Sequence, residues 1–229
     1  MISVVICTKN RAQDLKKNLP YVLNQSFKNY EVVIVDNGST DETKKVVQLF
    51  KKQYKNIRYF YYPKRGFAIF RQYACQKAKG EIITLLDDDC QVQKDFLKQI
   101  KTGFNKDPKI GILGGKVTNI GFPGKSKYKG RGIIDKFGRY QVVKNHYQAK
   151  IFASFNMSFK KRVFKKIRGY DPFFKNGLEE ADLCLKIKKA GYKIVYNPKV
   201  KIKHILSGHN EVKVGFFNNY RKERFYLYL

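Results

Sequence analysis

The chain has 229 residues, of which 43% are hydrophobic and 15% aromatic, which predicts one domain with a sizeable core and excludes an intrinsically disordered protein. It carries 48 Lys and Arg against 18 Asp and Glu, a formal net charge of +30. Nucleic acid, an anionic membrane face and phosphorylated substrates are the partners that such a charge indicates, and a Lys-rich source proteome is the alternative explanation.

Neither the N-terminus nor the cysteines indicate secretion. The sequence starts with the strand-like run MISVVIC, shows no charged leader or cleavage site, and contains no apolar run near the roughly 18 residues that span a bilayer. The four cysteines form no C-x-x-C pair, and Cys7, Cys75 and Cys184 lie among apolar residues, as small core residues do. We therefore expect a protein of the reducing cytoplasm.

Strand and helix signals alternate through the first half of the chain. Short apolar and β-branched or aromatic runs predict four strands, namely ISVVIC (2–7), EVVIV (31–35), IRYFYY (57–62) and EIITLL (81–86). Apolar residues at helical spacing predict helices between them, the first around residues 15–23 with an irregularity at Pro20, the second opened by a Ser39–Glu42 capping box, and the third over 67–79. Repeated β–α–β units predict an α/β domain with a doubly wound, mostly parallel sheet and helices on both faces.

The second half is less regular. Residues 119–150 are rich in Gly and Lys and predict a mobile basic loop. After it, IFASFNMSF (151–159) predicts a strand, LEEADLCLKIKKAG a helix ended by Gly191, and YKIVYNP a last core strand. We therefore divide the chain into a first half (1–118), the loop, and a second half (151–229).

Three consecutive acids, Asp87, Asp88 and Asp89, end the predicted fourth strand. Side chains alternate along a strand, so Asp87 and Asp89 are expected on one side and Asp88 on the other. Two converging carboxylates repel unless a cation lies between them, and Mg²⁺ and Mn²⁺ suit such oxygen ligands. The alternative is a solvated acidic turn or a helix N-cap near QVQKDF.

Two further acidic positions have a functional and a structural interpretation. Asp36 ends the second strand, where an acid commonly binds the sugar or base of a nucleotide, although Asp also begins turns such as DNGS. Glu179, Glu180 and Asp182 begin a predicted helix, where they supply a general base or only complement the helix dipole. Glycine-rich phosphate loops are missing, since ILGGK lacks the first glycine of a Walker loop, so metal and cationic side chains are expected to hold any phosphates.

Five motifs in order resemble the family-2 glycosyltransferases, namely VVICTKNR, EVVIVDNGSTDET, RGFAIFRQYACQKAKGEIITLLDDDC, FNMSFKKRVFKKIRGYDPFF and LEEADLCLKIKKAGYKIVYNP. The resemblance extends from about Val4 to His204. It implies the GT-A fold, a nucleoside-diphosphate sugar as donor (a UDP-sugar first among them), Mn²⁺ or Mg²⁺ as cofactor, and inversion at the anomeric carbon. It also implies that residues 1–118 bind the donor and that residues 151–229 form the acceptor half.

The same resemblance implies roles for residues of the donor half. Thr8, Asn10 and Arg11 would line the nucleotide pocket, Asp36 would hold the base, and Arg71 would lie beside the nucleotide.

The acidic triplet stands as the D-x-D motif of the family. Asp87 would approach the ribose, Asp88 belongs to the same nucleotide-binding run, and Asp89 would bind the metal. His204 would be a further metal ligand or a phosphate contact, and an ordinary surface imidazole is the alternative.

Two departures from the family pattern affect the catalytic residues. Glu180 stands where the family has the Asp of its E-D pair, so it is the expected general base, with Asp182 as the other candidate. Gln72 replaces the Asn that usually follows Arg71.

The C-terminal segment VKVGFFNNYRKERFYLYL (212–229) mixes aromatic and basic residues and predicts either contact with an anionic membrane or packing on the core. Together with the resemblance, it favours a polysaccharide or lipid-linked acceptor and a peripheral location at the inner face of the cell membrane. A nucleic-acid-binding protein fits the charge but not the ordered acidic motifs, so nucleic acid is not the expected partner. The sequence is also compatible with a nucleotidyltransferase on a similar α/β frame and with a catalytically silent family member.

Overall fold

The structure is a computed structural model that describes residues 1–121, 131–134, 140–141, 143, 145–175 and 177–205. The described strands, in chain order, are β1 (Ile2–Thr8), β2 (Tyr30–Asp36), β3 (Ile57–Tyr61), β4 (Ile82–Asp87), β5 (Cys90–Val92), β6 (Ile110–Ile120), β7 (Arg131–Ile134), β8 (Tyr140–Gln141), β9 (Ile151–Phe152), β10 (Met157–Lys160) and β11 (Lys193–Ile205). The described α-helices are α1 (Ala12–Leu23), α2 (Thr43–Gln53), α3 (Phe67–Lys77), α4 (Phe96–Asn105), α5 (Lys161–Lys166) and α6 (Glu179–Lys189).

Eight strands form the central sheet in the order β3-β2-β1-β4-β10-β6-β11-β5. The pairs β1–β2, β1–β4, β2–β3 and β6–β11 are parallel, whereas β10 and β5 run antiparallel to their neighbours. The β-branched runs of β1, β2 and β4 are buried on both faces, as strands of a covered parallel sheet are. The predicted α/β fold with a mostly parallel sheet is confirmed.

Helices cover both faces of this sheet, as predicted. One buried cluster joins apolar residues of α1, α2 and α4 to one face, with Leu15, Val47 and Ile100 fully buried. The other cluster joins α3, α5 and α6 to the opposite face through residues such as Ala74 and Leu183. The two faces of the sheet are therefore both packed against helices.

Two local predictions of the first half need correction or refinement. The Ser39–Glu42 capping box is wrong, because α2 begins at Thr43 without a side-chain cap and the Ser39 hydroxyl instead accepts a hydrogen bond from the Asn10 amide at 2.8 Å. Pro20 lies inside α1, which continues to Leu23.

The predicted strand over 151–159 is also wrong in part. β9 ends at Phe152, residues Ser154–Asn156 form a short 3₁₀ helix, and β10 starts at Met157. The Asn156 side chain explains the break, because it pairs with the Gly115 backbone, accepting from its N–H at 2.7 Å and donating to its carbonyl at 2.9 Å.

Some sequence predictions lie outside the described residues. The basic aromatic segment 212–229 is among them, and so is half of the basic loop 119–150, whose described residues include the end of β6, β7 and β8. Within the described part of the chain, no helix is both long and apolar enough to cross a membrane.

Candidate active site

The carboxyl ends of β1, β2 and β4 meet at one edge of the sheet. Thr8 is in register with Asp36 on β2, and Cys7 is in register with Asp87 on β4. The parallel pairing therefore places three of the predicted site residues on neighbouring strands at the edge where ligands of α/β proteins bind.

Arg11 brings together the two acids that follow β4. Its Nε lies 3.0 Å from Asp88 Oδ1, and its Nη2 lies 2.6 Å from Asp89 Oδ2. The Thr8 hydroxyl donates to the other Asp88 oxygen at 2.7 Å. The predicted alternation of the three acids is wrong beyond Asp87, because the strand ends there and the chain turns, so that Asp88 and Asp89 both reach the same guanidinium.

Burial makes the charged forms of Asp87 and Asp88 unfavourable. Burial and then the charge of Asp89 raise the pKa of Asp87 to about 6, against the opposing effects of Arg71 and His204. Burial also raises the pKa of Asp88 to about 7, although Arg11 and the Thr8 hydroxyl lower it. Because the carboxylates are buried close together, a nearby positive charge stabilises their ionised forms. A divalent metal ion would supply such a charge.

His204 lies directly beside Asp89. Its Nε2 is 3.2 Å from Asp89 Oδ1, and its ring stacks on Phe155 with the centroids 4.3 Å apart. Burial alone would lower the pKa of His204, but the hydrogen bond and charge of Asp89 raise it above its usual value. The His204 imidazole and the Asp89 carboxylate are two buried groups that can both bind a divalent cation such as Mn²⁺ or Mg²⁺. The Cys90 thiol lies close to both of them.

Arg71 connects the acidic cluster to the start of α6. Its Nη1 lies 3.2 Å from Glu180 Oε1 and also contacts Glu179, and its Nη2 donates to the Ser154 hydroxyl at 2.7 Å. Burial would lower the pKa of Arg71, but the negative charges of Glu180 and Asp87 raise it. The guanidinium therefore pairs directly with the acids of α6 and interacts electrostatically with Asp87 of β4.

The two candidate bases occupy different surroundings. Glu180 Oε1 accepts from Arg71 and, at 3.4 Å, from the Ser154 amide, so it belongs to the acidic cluster. Asp182 pairs with Lys186 at 3.3 Å, and burial raises its pKa. The structure brings Glu180, and not Asp182, to the predicted site.

Asp36 is almost fully buried, with both carboxylate oxygens bonded inside the protein. Oδ1 accepts from the Ser39 amide at 2.8 Å, and Oδ2 accepts from the Tyr59 hydroxyl at 2.7 Å. Asn10, which has a φ of +52°, accepts from the Thr40 amide at 2.8 Å. Asp36 thus does begin the DNGS turn, which is tied to the end of β1, and its role toward a base stays a prediction.

Sequence reasoning missed two residues of this site. Ser154 contacts Arg71 and Tyr59 contacts Asp36, but neither stands out in the sequence, because these contacts join segments far apart in the chain. Gln72, which replaces the usual Asn, has a structural role. Its Oε1 accepts a hydrogen bond at 3.0 Å from the amide of Tyr170, in the segment between α5 and α6.

Comparison with known proteins assigns the family. Residues 3–168 match the model of glycosyl transferase family 2. The glucosyl-dolichyl phosphate glucuronosyltransferase of Haloferax volcanii is 25% identical over 222 residues, covering 90% of this chain and 69% of that protein. The GalNAc(5)-diNAcBac-PP-undecaprenol beta-1,3-glucosyltransferase of Campylobacter jejuni is 28% identical over 190 residues, covering 82% of this chain and 60% of that protein.

Solved structures share the fold. GalNAc-T7, solved with UDP, GalNAc and Mn²⁺, matches with a TM-score of 0.75 at 21% identity. The match covers 90% of this chain and 44% of the GalNAc-T7 chain. The mannosyltransferase PcManGT of Pyrobaculum calidifontis, solved with GDP-Man and Mn²⁺, matches with a TM-score of 0.68 at 21% identity. The match covers 91% of this chain and 58% of the PcManGT chain. The predicted resemblance is confirmed: the chain belongs to glycosyl transferase family 2 and has the GT-A fold.

Proposed function

We propose that this protein transfers a sugar from a nucleoside-diphosphate sugar to an acceptor hydroxyl, with inversion at the anomeric carbon and with the assistance of a divalent cation. One observation carries the proposal. Arg71 forms an ion pair with Glu180 at the start of α6 and interacts electrostatically with Asp87 at the end of β4, which supports cation-binding and base functions in one site.

The donor is held by the ends of β1, β2 and β4. In this proposal Thr8, Asn10 and Arg11 line the nucleotide pocket, Asp36 holds the base, and Arg71 lies beside the nucleotide. This assignment is supported by the register of the three strands, which places their polar ends at one edge of the sheet. Asp87 and Asp88 complete the nucleotide-binding run.

Asp89 and His204 are the proposed ligands of Mn²⁺ or Mg²⁺. A divalent cation bound there supplies Lewis-acid stabilisation of the charge that develops on the departing diphosphate. Arg11 fixes the Asp89 carboxylate from one side and His204 contacts it from the other, so its orientation is set before substrate binds. Structures of the same fold that hold Mn²⁺ support this choice of ion.

Glu180 is the proposed general base. It takes the proton of the acceptor hydroxyl while the acceptor oxygen bonds to the anomeric carbon, and the bond from that carbon to the diphosphate oxygen breaks on the opposite face. The nucleoside diphosphate leaves with the bonding electrons, and no covalent intermediate with the protein forms. Arg71 holds the Glu180 carboxylate in place because the two groups form an ion pair.

The proposed acceptor is a carbohydrate or a lipid-linked saccharide. Two relatives support it, because their names contain glucosyl-dolichyl phosphate and GalNAc(5)-diNAcBac-PP-undecaprenol. Residues 1–118 would then form the donor half and residues 151–229 the acceptor half. A role in polysaccharide or glycolipid synthesis follows from this acceptor class.

The reaction type is tested by the products. The full chain is incubated with Mn²⁺, UDP- or GDP-sugars and lipid-linked saccharide acceptors, and the nucleotide released is identified. The proposal predicts a nucleoside diphosphate together with a glycosylated acceptor whose anomeric configuration, measured by NMR, is inverted. Release of pyrophosphate from a nucleoside triphosphate would instead indicate a nucleotidyltransferase, and retention of configuration would overturn the single-displacement step.

We also propose peripheral contact with an anionic membrane. An open cleft of about 770 Å³ between the end of α1 and the strands β5, β6 and β11 is lined by four lysines, namely Lys94, Lys116, Lys201 and Lys203. Lys116 is directly opposite Lys201 on the neighbouring strand, an arrangement of like charges that is unfavourable without an anion nearby. Among the described residues, none of the four makes an ion pair. Exposed Tyr21 adds an aromatic residue of the kind found at membrane interfaces.

Replacing Lys116, Lys201 and Lys203 by glutamine should weaken binding to vesicles that contain phosphatidylglycerol by about 100-fold, since each lysine near an anionic surface contributes about 1 kcal/mol. Co-sedimentation with vesicles measures the loss. The matched control replaces three exposed lysines elsewhere, Lys44, Lys52 and Lys55, and removes the same net charge. Equal losses in the two triple variants would show that total charge, rather than this cleft, determines binding.

A further inference from the structure

Cys90 is part of a compact group of metal-ligating side chains. Its Sγ, a carboxylate oxygen of Asp89 and a ring nitrogen of His204 all lie within 4.8 Å of one another, and all three residues are buried. The sheet explains this proximity: Cys90 directly follows Asp89, and its antiparallel partner on β11 is His204, so the thiol and the imidazole are cross-strand neighbours.

The group is distinctive within the described part of the chain. No other set of three His, Cys, Asp or Glu residues there comes together in this way. The remaining cysteines do not belong to it: Cys75 and Cys184 are buried on α3 and α6, and Cys7 is part of β1. Cys90 is therefore the one described cysteine whose position offers a thiolate to an ion held by Asp89.

We propose that Cys90 Sγ is a third protein ligand of the cation site, which strengthens the preference of this site for the borderline ions Zn²⁺ and Co²⁺ over Mg²⁺. The inference rests on the proposed function, because it takes Asp89 and His204 as ligands. Thiolate sulfur favours such ions, whereas Mg²⁺ prefers oxygen. On binding, the thiol releases its proton to solvent as the metal–sulfur bond forms, so no oxidant or reductant is involved.

The thiolate contribution is measured with Co²⁺. Titration of the full chain with Co²⁺ should produce a thiolate-to-Co²⁺ charge-transfer band in the near ultraviolet. Cys90→Ala should abolish the band and weaken Co²⁺ and Zn²⁺ binding by about 100-fold or more, because the loss of outer-shell partners alone costs about 10- to 100-fold. Binding of Mg²⁺ should change little. The matched control is Cys184→Ala, which removes another buried sulfur and should keep both the band and the affinity.

A second measurement needs no substitution and covers the case in which Cys90→Ala does not fold. X-ray absorption at the zinc edge of the Zn²⁺-loaded wild-type chain should show one sulfur ligand at about 2.3 Å.

The outcomes separate this inference from the proposed function. If Co²⁺ or Zn²⁺ binds with nitrogen and oxygen ligands only, and the charge-transfer band is missing, then Cys90 is not a ligand, while the metal-assisted transfer stands. If no divalent cation binds, with or without UDP, then both the inference and the proposed metal site are overturned. A band that survives Cys90→Ala but disappears in Cys184→Ala would also refute the assignment.

Discussion

Asp89→Asn is expected to lower kcat by about 100- to 1,000-fold, the usual cost of losing one preorganised electrostatic contact to a developing charge. Asp89 lies 2.6 Å from Arg11 and 3.2 Å from His204 and is 2% exposed, so its negative charge is held in one place. Asparagine preserves the shape and one acceptor oxygen but removes the charge that attracts the cation. The loss should therefore appear as lost activation by Mn²⁺, measured as turnover against Mn²⁺ concentration.

The control for this variant is Asp107→Asn. Asp107 forms an exposed ion pair with Lys193 at 2.7 Å, at the opposite end of β11 from His204, and exposed pairs contribute little. Turnover and Mn²⁺ activation should stay at the wild-type level in this variant. An Asp89→Asn protein that folds and keeps the Mn²⁺ response of the wild type would remove Asp89 from the cation site.

Glu180→Gln should lower kcat by about 100- to 10,000-fold, the range for loss of a general base. The substitution keeps an oxygen that can accept from Arg71 and from the Ser154 amide, so the local structure should be preserved. Binding of the nucleoside diphosphate should change much less than kcat, because the base acts on the acceptor. Calorimetric titration with UDP or GDP and steady-state kinetics measure the two effects separately.

Asp182→Asn is the matched comparison, because it removes one carboxylate from the same turn of α6. Asp182 faces Lys186 rather than Arg71, so we expect a small effect on kcat and a modest one on stability. A larger loss of kcat in Asp182→Asn than in Glu180→Gln would transfer the base role to Asp182, the second candidate base in the sequence.

The parallel strands β1, β2 and β4 are predictable from the sequence because strands covered on both faces are continuous apolar runs. β1, β2 and β4 are runs of β-branched and aliphatic residues that are buried on both faces, and the helices between them have regular apolar spacing. The same local signals led to a wrong capping box at Ser39. Its hydroxyl accepts from Asn10, a long-range contact that no spacing within the turn reveals.

β6 was not predicted, and its glycines explain why. The run ILGGK is weighed only as a phosphate loop, which its missing first glycine excludes, yet it lies within an 11-residue strand. Gly114 is needed because a Cβ there would lie 2.2 Å from the Phe152 ring, and a Cβ on Gly115 would lie equally close to the Val200 carbonyl oxygen, at 2.2 Å. Close packing across the sheet, which the local sequence does not encode, selects glycine in this strand.

The candidate site shows the same division. The motifs name Asp89 and His204 as ligands of one metal ion, and the structure places these two side chains 3.2 Å apart, while their roles stay predictions. The ion pair of Arg71 with Glu180 joins positions 109 residues apart, and the shared contact of Asp88 and Asp89 with Arg11 depends on a turn after β4. Sequence patterns identify the chemical groups, whereas the contacts between them depend on tertiary packing.

The most direct test of the proposed function is a crystal of the full chain grown with MnCl₂ and UDP or GDP, with anomalous diffraction used to locate manganese. We predict an anomalous peak within bonding distance of both Asp89 and the nucleotide diphosphate, and beside His204 Nε2. Manganese bound elsewhere, or a diphosphate bound with Asp87 and Asp89 directed away from it, would contradict the proposed cation site and, with it, the proposed mechanism.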